Sequence, residues 1–166
     1  MTTKADFTDE EWTRLERGPL VAGLAITFAD PGGPIEALKE SLASVKTIAE
    51  TAKTGSGSEL VDGLARDVAE KAQRRENPLK GFKPRGTMAG EEILDELRAV
   101  DEIVSEKATP EEAEAYRKWL LEAAQRTADA AKEGGFLGFH AVRVSEGEQK
   151  MLDKLGEVLG NPGGAG

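Results

Sequence analysis

The sequence predicts an all-α protein: a single compact bundle of about six or seven helices with a basic loop, rich in proline and glycine, in the middle of the chain. Apolar residues recur at spacings of three and four along most of the 166 residues, which is the periodicity of amphipathic helices. Capping boxes of the form Thr-x-x-Glu begin at Thr8 and Thr109. Only residues 136–144 could hold a strand, and one short strand forms no sheet. We expect one helical-bundle domain over residues 1–160 and a disordered tail over residues 161–166.

The first helix is expected to begin after the capping box at Thr8, where Phe7 and Trp12 are placed to pack across its first turn. It should break or kink at Gly18 and Pro19, because proline lacks the backbone N–H and crowds the preceding turn. Apolar residues then surround the chain on nearly all sides up to a stop signal of proline and glycine. This pattern predicts a helix in the middle of the bundle.

Two further helices are expected before the middle of the chain. The second begins at Pro34 and should bury a stripe made of Ile35, Leu38, Leu42, Val45, Ala49 and Ala52. Ser58 is placed to cap the third helix. Acids precede bases by four residues on the outer face of this third helix, so we expect a ladder of solvated ion pairs: Asp62–Arg66, Asp67–Lys71 and Glu70–Arg74.

Three helices are expected after residues 77–90, whose prolines and glycines no helix or central strand tolerates. The fourth helix should begin at Glu91, with a charged outer face that includes Glu96. The fifth begins at the Thr109 capping box and presents an alanine-rich face for close helix packing. The last is capped at Ser145.

The composition excludes several classes of site. The chain has 31 acidic and 22 basic residues, a formal charge of −9, no cysteine and one histidine, His140. Disulfides and thiolate sites need cysteine, and zinc or di-iron sites with paired histidines need two imidazoles. The acidic balance disfavours nucleic acid and anionic lipid as partners. Because there is no long apolar run and no secretory signal pattern, we expect a soluble, cytoplasmic protein.

One basic segment departs from this acidic balance. Residues 71–85 carry six basic side chains against Glu76 alone, a local charge of +5. The segment favours a docking site for an anionic or acidic partner, with Phe82 as an apolar anchor. The alternative is a solvated loop that neutralises the acidic helix beside it while Phe82 packs into the bundle. The candidate binding residues are Arg74, Arg75, Lys80, Phe82, Lys83 and Arg85.

A glycine-rich connector after the fifth helix is a second candidate site. It fits a helix end capped by glycine better than a phosphate-binding loop, because it follows a helix and no Lys-Ser/Thr pair comes after it. Its large apolar residues and the histidine leave open a small ligand pocket formed by Phe136, Phe139 and His140.

Acidic side chains are also dense over residues 86–133. Their oxygens are ligands of the type that Mg²⁺ or Ca²⁺ prefers. No calcium-loop spacing is present, and a charged outer face is the ordinary state of a surface helix.

Several segments resemble known proteins. The capping segment at residues 7–12, the Gly18-Pro19 pair and the connector at residues 133–139 resemble hallmarks of an uncharacterised family of bacterial all-helical proteins. This resemblance covers most of the chain and implies no activity.

A more distant resemblance is to tellurite-resistance TerB-like helical domains. It rests on residues 29–32 and Glu36, where those domains carry an Ala-Asp-Gly turn followed by metal-binding acids. The resemblance implies metal ligation by Asp30 and Glu36, although Pro31 interrupts the Asp-Gly pair in this chain.

The sequence therefore favours a non-enzymatic interaction module that presents the loop at residues 77–90 to a protein or anionic partner of unknown identity, with the segment at residues 136–144 as a second candidate surface. The alternative is a protein that binds a small ligand, in a pocket beneath residues 136–144, or a divalent cation, at Asp30 and Glu36. Catalysis is disfavoured, since His140 and the nearby Ser145 have no oriented third group. We expect no cofactor, no membrane and no nucleic-acid partner, and the sequence leaves a homo-oligomer open.

Overall fold

The computed structural model describes residues 1–29, 34–84, 88–133 and 146–160, except for the side chains of residues 34–40 and 131–133. Within these residues the protein is an all-α bundle, as predicted, and contains no strand. A short 3₁₀ turn at Lys4–Asp6 precedes six α-helices: α1 (Asp9–Ala29), α2 (Pro34–Thr54), α3 (Glu59–Gln73), α4 (Ala89–Lys107), α5 (Pro110–Glu133) and α6 (Glu146–Gly160). None of the described helices is both long and apolar enough to cross a membrane. The predicted tail and Ser145 lie outside the described residues.

Both predicted capping boxes are confirmed. At the start of α1, the backbone N–H of Thr8 donates to Glu11 at 2.8 Å, and the N–H of Glu11 donates to the Thr8 hydroxyl at 3.1 Å. Thr109 and Glu112 make the same two bonds at the start of α5, both at 3.2 Å. These reciprocal bonds satisfy amides that a helix leaves without a partner, and they fix where each helix begins.

Ser58 stands at the N-cap of α3 as predicted, but its side chain makes no capping hydrogen bond. The turn is tied to the helix by Ser56 instead, whose backbone N–H and hydroxyl donate to Asp62 at 2.6 and 2.7 Å. The prediction was right about the position and wrong about the contact.

Helix α1 runs through Gly18 and Pro19 without the predicted break. Pro19 lacks the N–H that would donate to the carbonyl of Leu15, four residues earlier. The hydroxyl of Tyr116 donates to that carbonyl instead, at 2.8 Å. Gly18 makes room for it, since a Cβ at that position would lie 2.1 Å from the Tyr116 oxygen. A tertiary hydrogen bond thus replaces the one that proline removes.

The apolar half of α1 lies in the middle of the bundle, as predicted, and α1 packs against each of the other five α-helices. The two most extensive helix–helix contacts in the described bundle are those of α5 with α2 and of α5 with α1. Its alanine-rich face is buried: Ala123 and Ala124 have no exposed surface. Trp119, at the edge of this face, is 3 % exposed and its indole N–H donates to Thr51 at 3.1 Å.

The predicted buried stripe of α2 is wrong at three positions: Leu42 and Val45 are 56 % and 45 % exposed, and Ala49 is exposed as well. The side chains of Ile35 and Leu38 lie outside the described residues. Gly23 of α1 and Thr127 of α5 leave room only for a small side chain of α2, and the Ser44 hydroxyl lies 3.0 Å from that of Thr127. The face of α2 turned toward the core therefore carries Ser44, Thr47 and Ile48.

The charged face of α3 also differs from the prediction. Only the Glu70–Arg74 pair is formed within the described contacts, at 3.4 Å. Two of the other charges of this face bind residues elsewhere in the fold: Asp67 accepts from Lys4 and Trp12, and Lys71 donates to Glu16. Helix α3 is joined to the N-terminal part of the chain by these bonds, because acids and bases four residues apart find better-placed partners across the helix interface.

Candidate interaction surface

Residues 74–84, here called the basic loop, follow α3 and are stabilised by successive turns of their own backbone. The side chain of Asn77 accepts from the N–H of Leu79 at 2.9 Å, and its carbonyl accepts from Lys80 at 3.1 Å. The N–H of Phe82 donates to the carbonyl of Leu79 at 2.9 Å. An Asx turn of this kind gives a loop a defined course without helix or sheet.

Arg17 of α1 ties the basic loop to the bundle. Its Nη1 donates to the carbonyl of Lys80 at 2.7 Å, and its guanidinium carbon lies 5.7 Å from the centre of the Phe82 ring. Gly81 adopts a φ of 87°, and a Cβ there would lie 3.0 Å from Arg17 Nη1. Glycine is therefore favoured both by the left-handed backbone and by the close approach of the arginine.

Glu96 of α4 holds Arg17 in turn, although the sequence places Glu96 on a solvated face. It is 7 % exposed, and Arg17 Nη2 donates to it at 3.1 Å. Arg14 donates to both of its oxygens, at 3.1 and 2.7 Å. Burial by itself raises the pKa of Glu96, but the hydrogen bonds and positive charges of the two arginines outweigh burial, and the pKa lies below its ordinary value. The carboxylate is thus ionised at neutral pH and holds the arginine in place.

Four cations of the basic loop are exposed: Arg74 and a group of three, Arg75, Lys80 and Lys83. None of the three side chains forms an ion pair with any residue in the described ranges. Arg74 differs, since it lies 3.4 Å from Glu70 and 3.9 Å from Glu76. The positive charge of the loop is therefore concentrated on three side chains that face water.

The two other candidate residues of the sequence-predicted basic site are Phe82 and Arg85. Phe82 is half-buried and packs against the hydrophobic core as well as against Arg17. That arrangement corresponds to the alternative in which Phe82 packs into the bundle, and it anchors the loop to its own protein. Arg85 lies outside the described residues.

The remaining sequence-predicted sites also fall outside the described residues. This holds for Phe136, Phe139 and His140 of the ligand-pocket candidate, for Asp30, and for the side chain of Glu36. Among the side chains that the structure does describe, no three histidines or acids lie close enough together to hold a metal ion.

A groove of about 510 Å³ lies beside the basic loop, between the first half of α1 and the end of α3. Glu16 of α1 lines it and is 4 % exposed. Lys71 donates to one oxygen of Glu16, whereas the other, Oε1, is buried and has no hydrogen-bond partner among the described residues. Pro78, which lines this groove, also borders a second, smaller and apolar crevice of about 160 Å³ that the loop forms with α1 and α2.

Sequence reasoning missed Glu16, Arg17 and Glu96. The available signal was weak: Glu16 and Arg17 are adjacent charges directly before the apolar half of α1, where a surface helix would turn toward the core. Comparisons of the chain with protein-family models, with curated proteins and with solved structures gave no match.

Proposed function

We propose that the protein is a non-enzymatic interaction module whose basic loop binds an acidic segment of a protein partner. The observation that carries the proposal is the combination of Arg75, Lys80 and Lys83, exposed without a described anionic partner, with a loop backbone that the bundle already fixes.

The fixed backbone matters energetically. Ordering one residue of a flexible loop costs about 1–2 kcal/mol of conformational entropy. Folding already supplies the hydrogen bonds from Arg17 to the Lys80 carbonyl and from the Leu79 N–H to the Asn77 side chain, so this entropy cost is met before a partner binds. A partner that contacts the three cations therefore does not have to order the loop first, and more of the contact energy contributes to affinity.

The charge distribution favours an acidic protein segment over nucleic acid. The whole chain carries −9 and residues 71–85 carry +5, so the remaining residues carry −14. A long polyanion would extend beyond the basic loop onto this negatively charged remainder of the chain, whereas a short acidic segment contacts the loop alone.

Two buried titratable groups near Arg17, Glu96 and Tyr116, already have structural partners, which supports a binding role over catalysis. Glu96 accepts hydrogen bonds from two arginines. Burial raises the pKa of Tyr116 well above its ordinary value, so that its hydroxyl stays protonated and donates to Leu15.

The test is binding of a fluorescein-labelled peptide of about ten residues, rich in glutamate and aspartate, measured by fluorescence anisotropy. The loop variant carries Arg75→Gln, Lys80→Gln and Lys83→Gln. The matched control carries Lys53→Gln, Lys150→Gln and Lys154→Gln, which removes the same charge from exposed positions on α2 and α6. At about 0.5–1 kcal/mol for each exposed ion pair, the loop variant should bind roughly 10- to 100-fold more weakly.

The control variant should lose little affinity, and the affinity of the unmodified protein should fall as salt rises. Equal losses in the two variants, or no peptide binding at all, would overturn the proposal. A single-stranded oligonucleotide of equal charge that binds more tightly than the peptide would also overturn it, in favour of nucleic acid.

A further inference from the structure

We infer that the groove beside the basic loop accepts a lysine or arginine side chain from the same partner segment, so that the preferred segment carries acids around one base. This inference rests on the proposed function and specifies the partner.

The position of the groove links it to the loop. Lys80 and Gly81 of the basic loop line the groove together with Glu16 of α1 and Lys71 of α3. A segment that lies on the exposed cations of the loop therefore passes the mouth of the groove, and one of its side chains can enter.

The hydrogen-bonding state of Glu16 indicates what enters. Its carboxylate is almost entirely buried, Lys71 occupies one oxygen, and Oε1 has no partner in the described structure. A carboxylate oxygen only accepts, so its partner must be a donor. A single free oxygen suits one N–H group, whereas Mg²⁺ or Ca²⁺ requires six or more oxygens.

The surroundings favour a charged donor with a long apolar stem. Three further acids line the groove, Asp9, Glu10 and Glu76, the last of which lies 3.9 Å from Arg74. Of its three bases, Arg17 and Lys71 are engaged by carboxylates, and only Lys80 has no ion pair among the described residues. Val68 and Pro78 also line it and offer apolar surface to methylene groups. An ammonium or guanidinium on a flexible stem matches both properties.

The test uses three acidic peptides that differ only at one central position, which is lysine, glutamine or norleucine. Norleucine keeps the apolar stem and removes the charge, and glutamine offers an uncharged N–H donor. For the unmodified protein, the lysine peptide should bind about tenfold more tightly than either of the others.

Two variants locate this preference. Glu16→Gln should abolish the preference for lysine, whereas Glu106→Gln, an exposed acid of α4 that does not line the groove, should keep it. Thr13→Lys, which places a base one helical turn from Glu16 inside the groove, should also abolish the preference. This second variant tests the site if Glu16→Gln fails to fold, which its thermal unfolding will show.

The outcomes separate the two proposals. If all three peptides bind equally and the loop cations are needed, the inference about the groove is wrong and the proposed function stands. If the glutamine peptide binds as tightly as the lysine peptide, the groove is a carboxamide site and the inference is overturned. If no acidic peptide binds, both proposals fail.

Discussion

Replacement of Tyr116 by phenylalanine tests how α1 continues through a proline. The change removes only the hydroxyl that donates to the Leu15 carbonyl at 2.8 Å. Leu15 and Tyr116 have no exposed surface, so water cannot take the place of the hydroxyl. A buried acceptor left without its donor costs about 1–3 kcal/mol, and we expect the free energy of unfolding to fall by that amount.

Urea denaturation followed by circular dichroism measures this loss. With a slope of about 2 kcal/mol per molar urea, the midpoint should fall by roughly 0.5–1.5 M while the slope stays the same. The control is the same replacement in a Pro19→Ala background. The alanine in that background supplies the N–H that proline lacks, so Tyr116→Phe should cost less than about 0.5 kcal/mol.

A second pair of variants tests the same geometry at Gly18. A methyl group at Gly18 would lie 2.1 Å from the tyrosine oxygen, so Gly18→Ala should be less destabilising once Tyr116→Phe has removed that oxygen. Two results would refute the reasoning: an unchanged midpoint for Tyr116→Phe, or an equal cost of Tyr116→Phe with and without Pro19.

Two further predictions concern the contacts beneath the loop. The pKa of Glu96 is lowered in the folded protein, so its ionised form contributes stability that is complete above the unfolded-state pKa near 4.5 and is lost as pH falls through the lower folded value. At pH 7, the free energy of unfolding of Glu96→Gln should therefore be lower than that of the unmodified protein by about 3–5 kcal/mol. Between about pH 5 and pH 3, the variant should lose less stability than the unmodified protein does, and urea titrations at each pH will measure both effects. Gly81→Ala and Gly57→Ala both place a side chain at a φ near 87°, at a cost of about 1–2 kcal/mol each, but only the first meets an arginine. Gly81→Ala should thus be the more destabilising and should weaken binding of the acidic peptide, and equal effects of the two variants would contradict the role given to Arg17.

Local signals in the sequence were enough to predict the helices and several of their starts. The boxes at Thr8 and Thr109 form because both partners lie within one helical turn, where chain geometry brings them together. The alanine-rich face of α5 is buried as expected, since residues without long side chains permit close helix packing.

The face that each helix buries was harder to predict. In α2 the pattern of larger apolar residues indicated Leu42 and Val45, but the space between α1 and α5 admits Ser44. That space is set by Gly23 and Thr127 on two other helices. A periodicity within one helix cannot encode the shape of its neighbours.

The buried polar contacts were not predictable for a related reason. Arg17 and Glu96 are 79 positions apart, and Tyr116 and Leu15 are 101 positions apart. Taken alone, these residues do not indicate a buried polar contact: Glu96 is one of several acids on a charged helix, and Arg17 stands beside an acid in the sequence. Only the packing of α1 against α4 and α5 brings them together.

The same packing leads to a last prediction, because it makes the conformation of the loop depend on Arg17, a buried residue that lies outside the loop. Arg17 is 8 % exposed and binds the loop at the Lys80 carbonyl and the Phe82 ring. Arg17→Met keeps the apolar stem and removes every donor, while Glu96 retains Arg14 as a partner. If Arg17 orders the loop, the acidic peptide should bind several-fold more weakly to the variant, with the salt dependence of binding unchanged because the exposed cations remain. If the turns of the loop are sufficient by themselves, Arg17→Met will bind the peptide as tightly as the unmodified protein does.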